Sequence, residues 1–171
     1  NHTPTLKEAR KAITQMLLIE GNHICPTCEK TGNCKLQAMA YFLGMLDDHF
    51  PQFYPSRELD ASHPRILLDR SRCIVCDLCV RASREIDRKN VFVIAGRGTQ
   101  AHLMVNSPSG KLVDSTIDVT DVATTICPVG AILIKEQGYQ TPIGQRIYDQ
   151  HTIRETALQE NMSTRTKNDG D

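Results

Sequence analysis

Arg72-Cys73-Ile74-Val75-Cys76-Asp77-Leu78-Cys79-Val80-Arg81, completed far downstream by Cys127-Pro128-Val129-Gly130, decides how this chain is read. Three thiols at i, i+3 and i+6 wrap one side of a compact cubane, and a fourth thiol followed by Pro closes it from a remote loop. That is the ligand pattern of a 4Fe-4S cluster. In the usual run a fourth Cys stands four residues after the third; here that position is Ser83, so Cys127 is the expected fourth ligand. Buried free thiols are the plain alternative, since free Cys is common in cores, but four in this order with a Cys-Pro speak for a metal centre. Zinc is the stronger rival, although structural zinc prefers two Cys-x-x-Cys knuckles to three evenly spaced ligands.

Working outward, a second constellation lies upstream: His23-Ile24-Cys25-Pro26-Thr27-Cys28-Glu29-Lys30-Thr31-Gly32-Asn33-Cys34. Cys25, Cys28 and Cys34 offer three thiolates from a short loop that Pro26 and Gly32 allow to fold tightly. A cubane needs a fourth ligand, and no Cys is left over. His23 is the nearest candidate, because imidazole can replace thiolate on iron. A loop histidine that only hydrogen-bonds near the cluster, and a zinc ion held by three Cys and one His, are the other readings. Arg72, Arg81 and Arg97 flank the downstream site and Lys30 and Lys35 the upstream one. They are candidates for offsetting cluster charge, or are ordinary surface charge.

The whole chain sets the limits. It has 171 residues, 20 Lys plus Arg and 20 Asp plus Glu, hence no net charge to recruit nucleic acid or an anionic membrane. Its apolar stretches, such as residues 38 to 46, are too short to span a bilayer, so no membrane insertion is expected. Seven Cys, odd in number and tightly clustered, read as metal ligands in a reducing, cytoplasmic compartment. A chain beginning at Asn1 reads as a processed form or a fragment.

In order, Thr5 and Glu8 have the form of a capping box, and Leu6, Ala9, Ile13, Met16 and Leu17 predict a core-facing helix over 6 to 19, stopped near Gly21. A second helix follows from Lys35 to Gly44. Residues 47 to 65, with Pro51, Pro55 and Pro64, read as a linker, and its His49 and His63 as unremarkable loop histidines. A short helix is expected after Cys79, strands over 91 to 95 and 102 to 106, a turn at 107 to 110 before 111 to 114, a helix capped by Thr120, and a last strand over 131 to 135. The fold class is therefore α+β: a ferredoxin-like 4Fe-4S domain over 66–138, preceded by a small helical His/Cys domain over 1–46 and the 47–65 linker. Residues 139–171 read as an extended arm, through Pro142, Ile143, Gly144 and Tyr148, lying on a neighbour, with a disordered polar tail from Glu160.

Cys25-Pro-Thr-Cys28-Glu-Lys-Thr-Gly-Asn-Cys34-Lys-Leu-Gln resembles the His-plus-three-Cys motif of the respiratory complex I 75 kDa subunit family, and the Cys73 to Cys79 run with Gly96-Arg97-Gly98 and Cys127-Pro-Val-Gly resembles its four-Cys region. Within that family, Glu20-Gly-Asn-His23-Ile-Cys25-Pro and Pro142-Ile-Gly-Gln-Arg-Ile-Tyr148 look most like the small iron-sulfur diaphorase subunit of NAD-reducing nickel-iron hydrogenases. The complex I branch places its ligand histidine four residues before the first Cys, where this chain has Gly21; here His23 stands two before, an arrangement similar to the hydrogenase branch. Family members also carry an N-terminal 2Fe-2S domain with four further Cys. None precedes Cys25 here, so that domain is expected to be removed or absent.

The resemblance implies two 4Fe-4S clusters, on Cys73, Cys76, Cys79 and Cys127 and on Cys25, Cys28, Cys34 and His23, in an electron-transfer subunit of an oxidoreductase. It implies a hetero-oligomer with a flavoprotein diaphorase subunit carrying FMN and handling NAD, and with a hydrogenase small subunit leading to a nickel-iron centre. No dinucleotide fingerprint or catalytic constellation suggests turnover by the chain alone. The alternatives are the equivalent electron wire of complex I or of an NAD-dependent formate dehydrogenase, and a zinc-stabilised interaction module without redox function.

Overall fold

The computed structural model describes residues 3–45 and 50–168, with side chains described through Glu160. The expected 46/47 boundary and His49 lie outside the described residues. Helix α1 (Pro4–Glu20) starts at Thr3, whose hydroxyl accepts from the Leu6 amide, and not at a Thr5 capping box. Proline at the first helical position lacks only a hydrogen that would have gone unused there. The helix is also rotated from the expected stripe: Ala9, Ile13 and Met16 are exposed, and Thr14, Gln15 and Ile19 are buried. The correction has a local cause, since Thr14 satisfies its hydroxyl on the Arg10 carbonyl and can go inside, while Leu18 packs toward α2 (Lys35–Phe42).

The expected linker holds a strand. β1 (Leu59–Asp60), β2 (Ile66–Asp69) and the last strand, β5 (Ile132–Ile134), form an antiparallel sheet with β2 central, Asp60 opposite Leu68 and Leu68 opposite Ile132. Asp60 is 1% exposed; its carboxylate accepts from the amides of Ser62 and Leu112 and so ties the crossover to the turn at Leu112–Asp114. His63 Nδ1 accepts from the Arg65 and Ile66 amides, a structural role in the turn into β2.

Helix α3 (Leu78–Glu85) leads to the hairpin β3 (Phe92–Ala95) and β4 (His102–Val105), paired from Phe92–Val105 to Ala95–His102. Side chains alternate as a half-buried sheet requires: Ile66 and Leu68 on β2, Leu103 and Val105 on β4, all at most 2% exposed. Leu112–Asp114 form a tight turn. Helix α4 (Val122–Thr125) is not capped by Thr120; both carboxylate oxygens of Asp87 accept its first amides, from Val122 and Ala123.

The C-terminal region does not lie free. Helices α5 (Ile147–Gln150) and α6 (Ile153–Asn168) occupy the stretch expected to be an arm and tail, and Asp169–Asp171 lie outside the described residues. Thr152 and Glu155 form a reciprocal cap at the start of α6. The arm folds back on the upstream loop: Tyr139 Oη donates to the Thr27 carbonyl, the Tyr148 amide to Gly32, and the Ile147 amide to Asn33.

Candidate metal centres

The downstream thiols come from two pieces of chain, a continuous run and a remote loop. Cys73 ends the tight turn at Arg70–Arg72, Cys76 sits in the loop, Cys79 is in the first turn of α3, and Cys127 follows α4. All four line one pocket, walled by Ile74, Val75, Ile94, Leu103, Pro128 and Ile132. To wrap it, Val75 and Asp77 take left-handed backbone, φ 52° and 66°. A β-branched residue in that region is strained and is tolerated where the surroundings leave no choice. The turn brings the Val75 amide onto the Cys73 sulfur at 3.4 Å.

Burial first, and then the crowding of neighbouring sulfurs, raise the Cys73 and Cys79 thiols above their ordinary pKa; burial also leads for Cys76. Gathered thiolates repel, and only a cationic core can hold several together while displacing their protons. Ser83, at the position of a local fourth ligand, is 1% exposed and its hydroxyl accepts from the Val91 amide at 2.7 Å, a bond that starts β3.

The upstream loop turns through Cys25–Thr27, and Gly32 donates its amide to the Gln37 side chain. Cys34 is the N-cap of α2, its sulfur accepting from the Gln37 amide at 3.5 Å. Burial pushes the Cys34 thiol up to about 11, against the pull of the Gln37 and Leu36 amides. His23 is lowered to about 4, by burial first and by Arg72 second, so its ring is neutral, the form that binds a metal.

Its Nε2 is buried without a hydrogen-bond partner, an orphaned acceptor suited to iron. The ring lies over Gly21, where a Cβ would stand 2.6 Å from Nε2 and 2.8 Å from the Ser71 carbonyl. Four thiols at the downstream site, and three thiols with a neutral, unpartnered imidazole at the upstream one, are the donor types that hold a 4Fe-4S core, which when bound supplies one-electron redox chemistry.

The two sites touch. The Lys35 amide, next to Cys34, donates to the carbonyl of Pro128, next to Cys127, at 2.8 Å. Arg72 precedes Cys73, yet its Nη1 lies 3.7 Å from the Cys28 sulfur and 2.7 Å from Glu29, with Nε 2.8 Å from Asp69. Sequence reasoning placed this arginine beside the wrong site and missed Glu29, Asp87 and Gly130. Nothing in the sequence tells which way a residue before a ligand points. Arg81 and Arg97 are exposed, as is Lys35, paired at 3.9 Å with Glu160.

Residues 10–49 match the NADH-ubiquinone oxidoreductase-G iron-sulfur binding region, and residues 66–134 the 4Fe-4S single cluster domain. The chain is 38% identical over 157 residues to the NAD-reducing hydrogenase HoxS subunit gamma of Cupriavidus necator, covering 91% of this chain and 66% of that protein. It is 31% identical over 141 residues to the NADH-ubiquinone oxidoreductase 75 kDa subunit of Acanthamoeba castellanii, covering 78% of this chain but 19% of the relative. A chain in a crystal structure of NAD+-reducing [NiFe]-hydrogenase in the H2-reduced state superposes with a TM-score of 0.85 at 50% identity, over 88% of this chain and 64% of that one. The chain thus spans about two thirds of the hydrogenase relatives and a fifth of the complex I relative. It belongs to the iron-sulfur subunit family that unites NAD-reducing hydrogenase gamma subunits with the G, or 75 kDa, subunits of NADH-quinone oxidoreductases.

Proposed function

We propose that this chain carries two 4Fe-4S clusters and relays electrons, within a cytoplasmic hetero-oligomer, between an NAD(H)-handling flavin subunit and a hydrogenase module. The downstream ligands are Cys73, Cys76, Cys79 and Cys127; the upstream ligands are Cys25, Cys28, Cys34 and His23. The single observation that carries the reading is the backbone contact of Lys35 with Pro128, which sets one ligand-bearing loop directly against the other. A wire needs its stations adjacent; two independent zinc knuckles do not.

Three further facts support it. The His23 ring lies where a side chain at position 21 would begin, the position of the complex I ligand histidine in the resemblance above, which supports His23 as its counterpart. Cys76 is exposed while Cys79 and Cys127 are buried, giving the downstream site one open edge. Among the described residues no helix is long and apolar enough to cross a membrane.

In this reading the chain's own task is to bind, order and tune the redox groups while partners turn over substrate. Anaerobically purified protein should be brown and contain about eight irons per chain, as two cubanes require. Colourless protein with two zinc ions would overturn the reading. Co-purification with a nickel protein should separate it from the second reading, a wire of NADH-quinone oxidoreductase, which relatives at 31% identity favour.

A further inference from the structure

We propose that Arg72, bonded in sequence to the downstream site, is a positioning and potential-setting residue of the upstream one, holding the upstream cluster's potential above the value that Glu29 and Asp69 would impose. The proposal rests on the reading that both sites hold clusters.

Two independent features carry it. The guanidinium is forked: Nη1 donates to Glu29 and approaches the Cys28 sulfur, and Nε donates to Asp69, which fixes its plane with the side chain only 21% exposed. A planar, permanently charged fork suits this triple contact, whereas an ammonium is a single point charge. The second feature is the gap that admits it. A Cβ on Gly130 would stand 3.0 Å from the Cys28 sulfur and 3.4 Å from Arg72 Nη1, so the glycine of the Cys-Pro-Val-Gly run leaves room for arginine and sulfur to meet.

The sign follows from charge. Two carboxylates face one guanidinium, so removing Arg72 leaves both uncompensated beside a sulfur ligand and takes away its donor. Each loss disfavours the more negative, reduced state. Removing Glu29 does the reverse. Arg81 cannot substitute, because it is exposed and pairs with Glu85.

The test is an EPR-monitored redox titration of each cluster in the intact anaerobic protein, the downstream signal being the one altered by Cys76→Ser. Arg72→Gln should lower the upstream midpoint and move the downstream midpoint less; Glu29→Gln should raise the upstream midpoint; Arg72→Lys should restore part of the loss. Unmoved upstream midpoints in both Gln variants, or a larger downstream shift, would overturn the proposal. Should Arg72→Gln not load the upstream cluster, Glu29→Gln decides alone, by the same criterion. Parent protein lacking both signals would refute the two-cluster reading instead.

Discussion

Ser83 and Gly21 show how much a single position can settle. Ser83→Ala would strand the buried Val91 amide, a loss of about 1 to 3 kcal/mol in denaturant unfolding, while iron content should stay unchanged because the hydroxyl serves a strand and not a cluster. Gly21→Ala should do the opposite: its Cβ would collide with the His23 ring and with the immovable Ser71 carbonyl. The expected result is a fall from about eight irons per chain toward about four, with the downstream EPR signal kept. His23→Cys should retain the upstream cluster at a lower potential, since thiolate adds negative charge; an unchanged midpoint and spectrum would remove His23 from the ligand set. At this scale the sequence was eloquent about sulfur. Spacing alone marks Cys73, Cys76 and Cys79, because thiols three residues apart in a short loop can wrap one side of a single object. It was silent about Arg72, whose direction depends on where Glu29 and Asp69 end up.

Elements were legible where their signals were local. Helix α2 and the hairpin β3–β4 lie within a residue or two of their predicted limits, since periodicity and flanking turns report on short windows. β1 was missed because two residues carry no period, and its identity comes from pairing with β2 across the Pro-rich crossover. The start of α6 was readable but unread: Thr152-Ile-Arg-Glu155 has capping-box spacing, outweighed by the polar composition that follows. α4 depends on a cap supplied by Asp87, distant in sequence. Asp87→Ala should therefore weaken α4 by about 1 kcal/mol. Because Cys127 follows that helix directly, air should bleach the downstream cluster faster, as timed by loss of its EPR signal.

Among the described residues one apolar cluster joins Cys34 and Leu36 of the upstream site to Cys79 and Cys127 of the downstream one. Iron extraction by a chelator should accordingly loosen both sites, seen as a single cooperative lowering of the melting temperature. Stability should also fall in acid. Burial alone would raise the pKa of Asp60, but hydrogen bonds from Ser62 and Leu112 hold it below the ordinary aspartate value. A carboxyl depressed in the folded state contributes fully above its unfolded pKa of about 4 and loses that contribution as pH falls through the folded value. Asp60→Asn should flatten this part of the acid unfolding profile, measured by circular dichroism.

The peptide hydrogen bond between Lys35 and Pro128 bears on anyone who would transplant these motifs. A chimera that borrows residues 66–134 alone inherits a Pro128 carbonyl with no donor and a Gly130 notch without the Cys28 sulfur that it faces. Proline at position 35 suits a first helical residue but lacks the donor hydrogen, so it would cut the same stitch without changing any ligand. The unit of inheritance, and of engineering, is thus the sutured pair and neither half by itself.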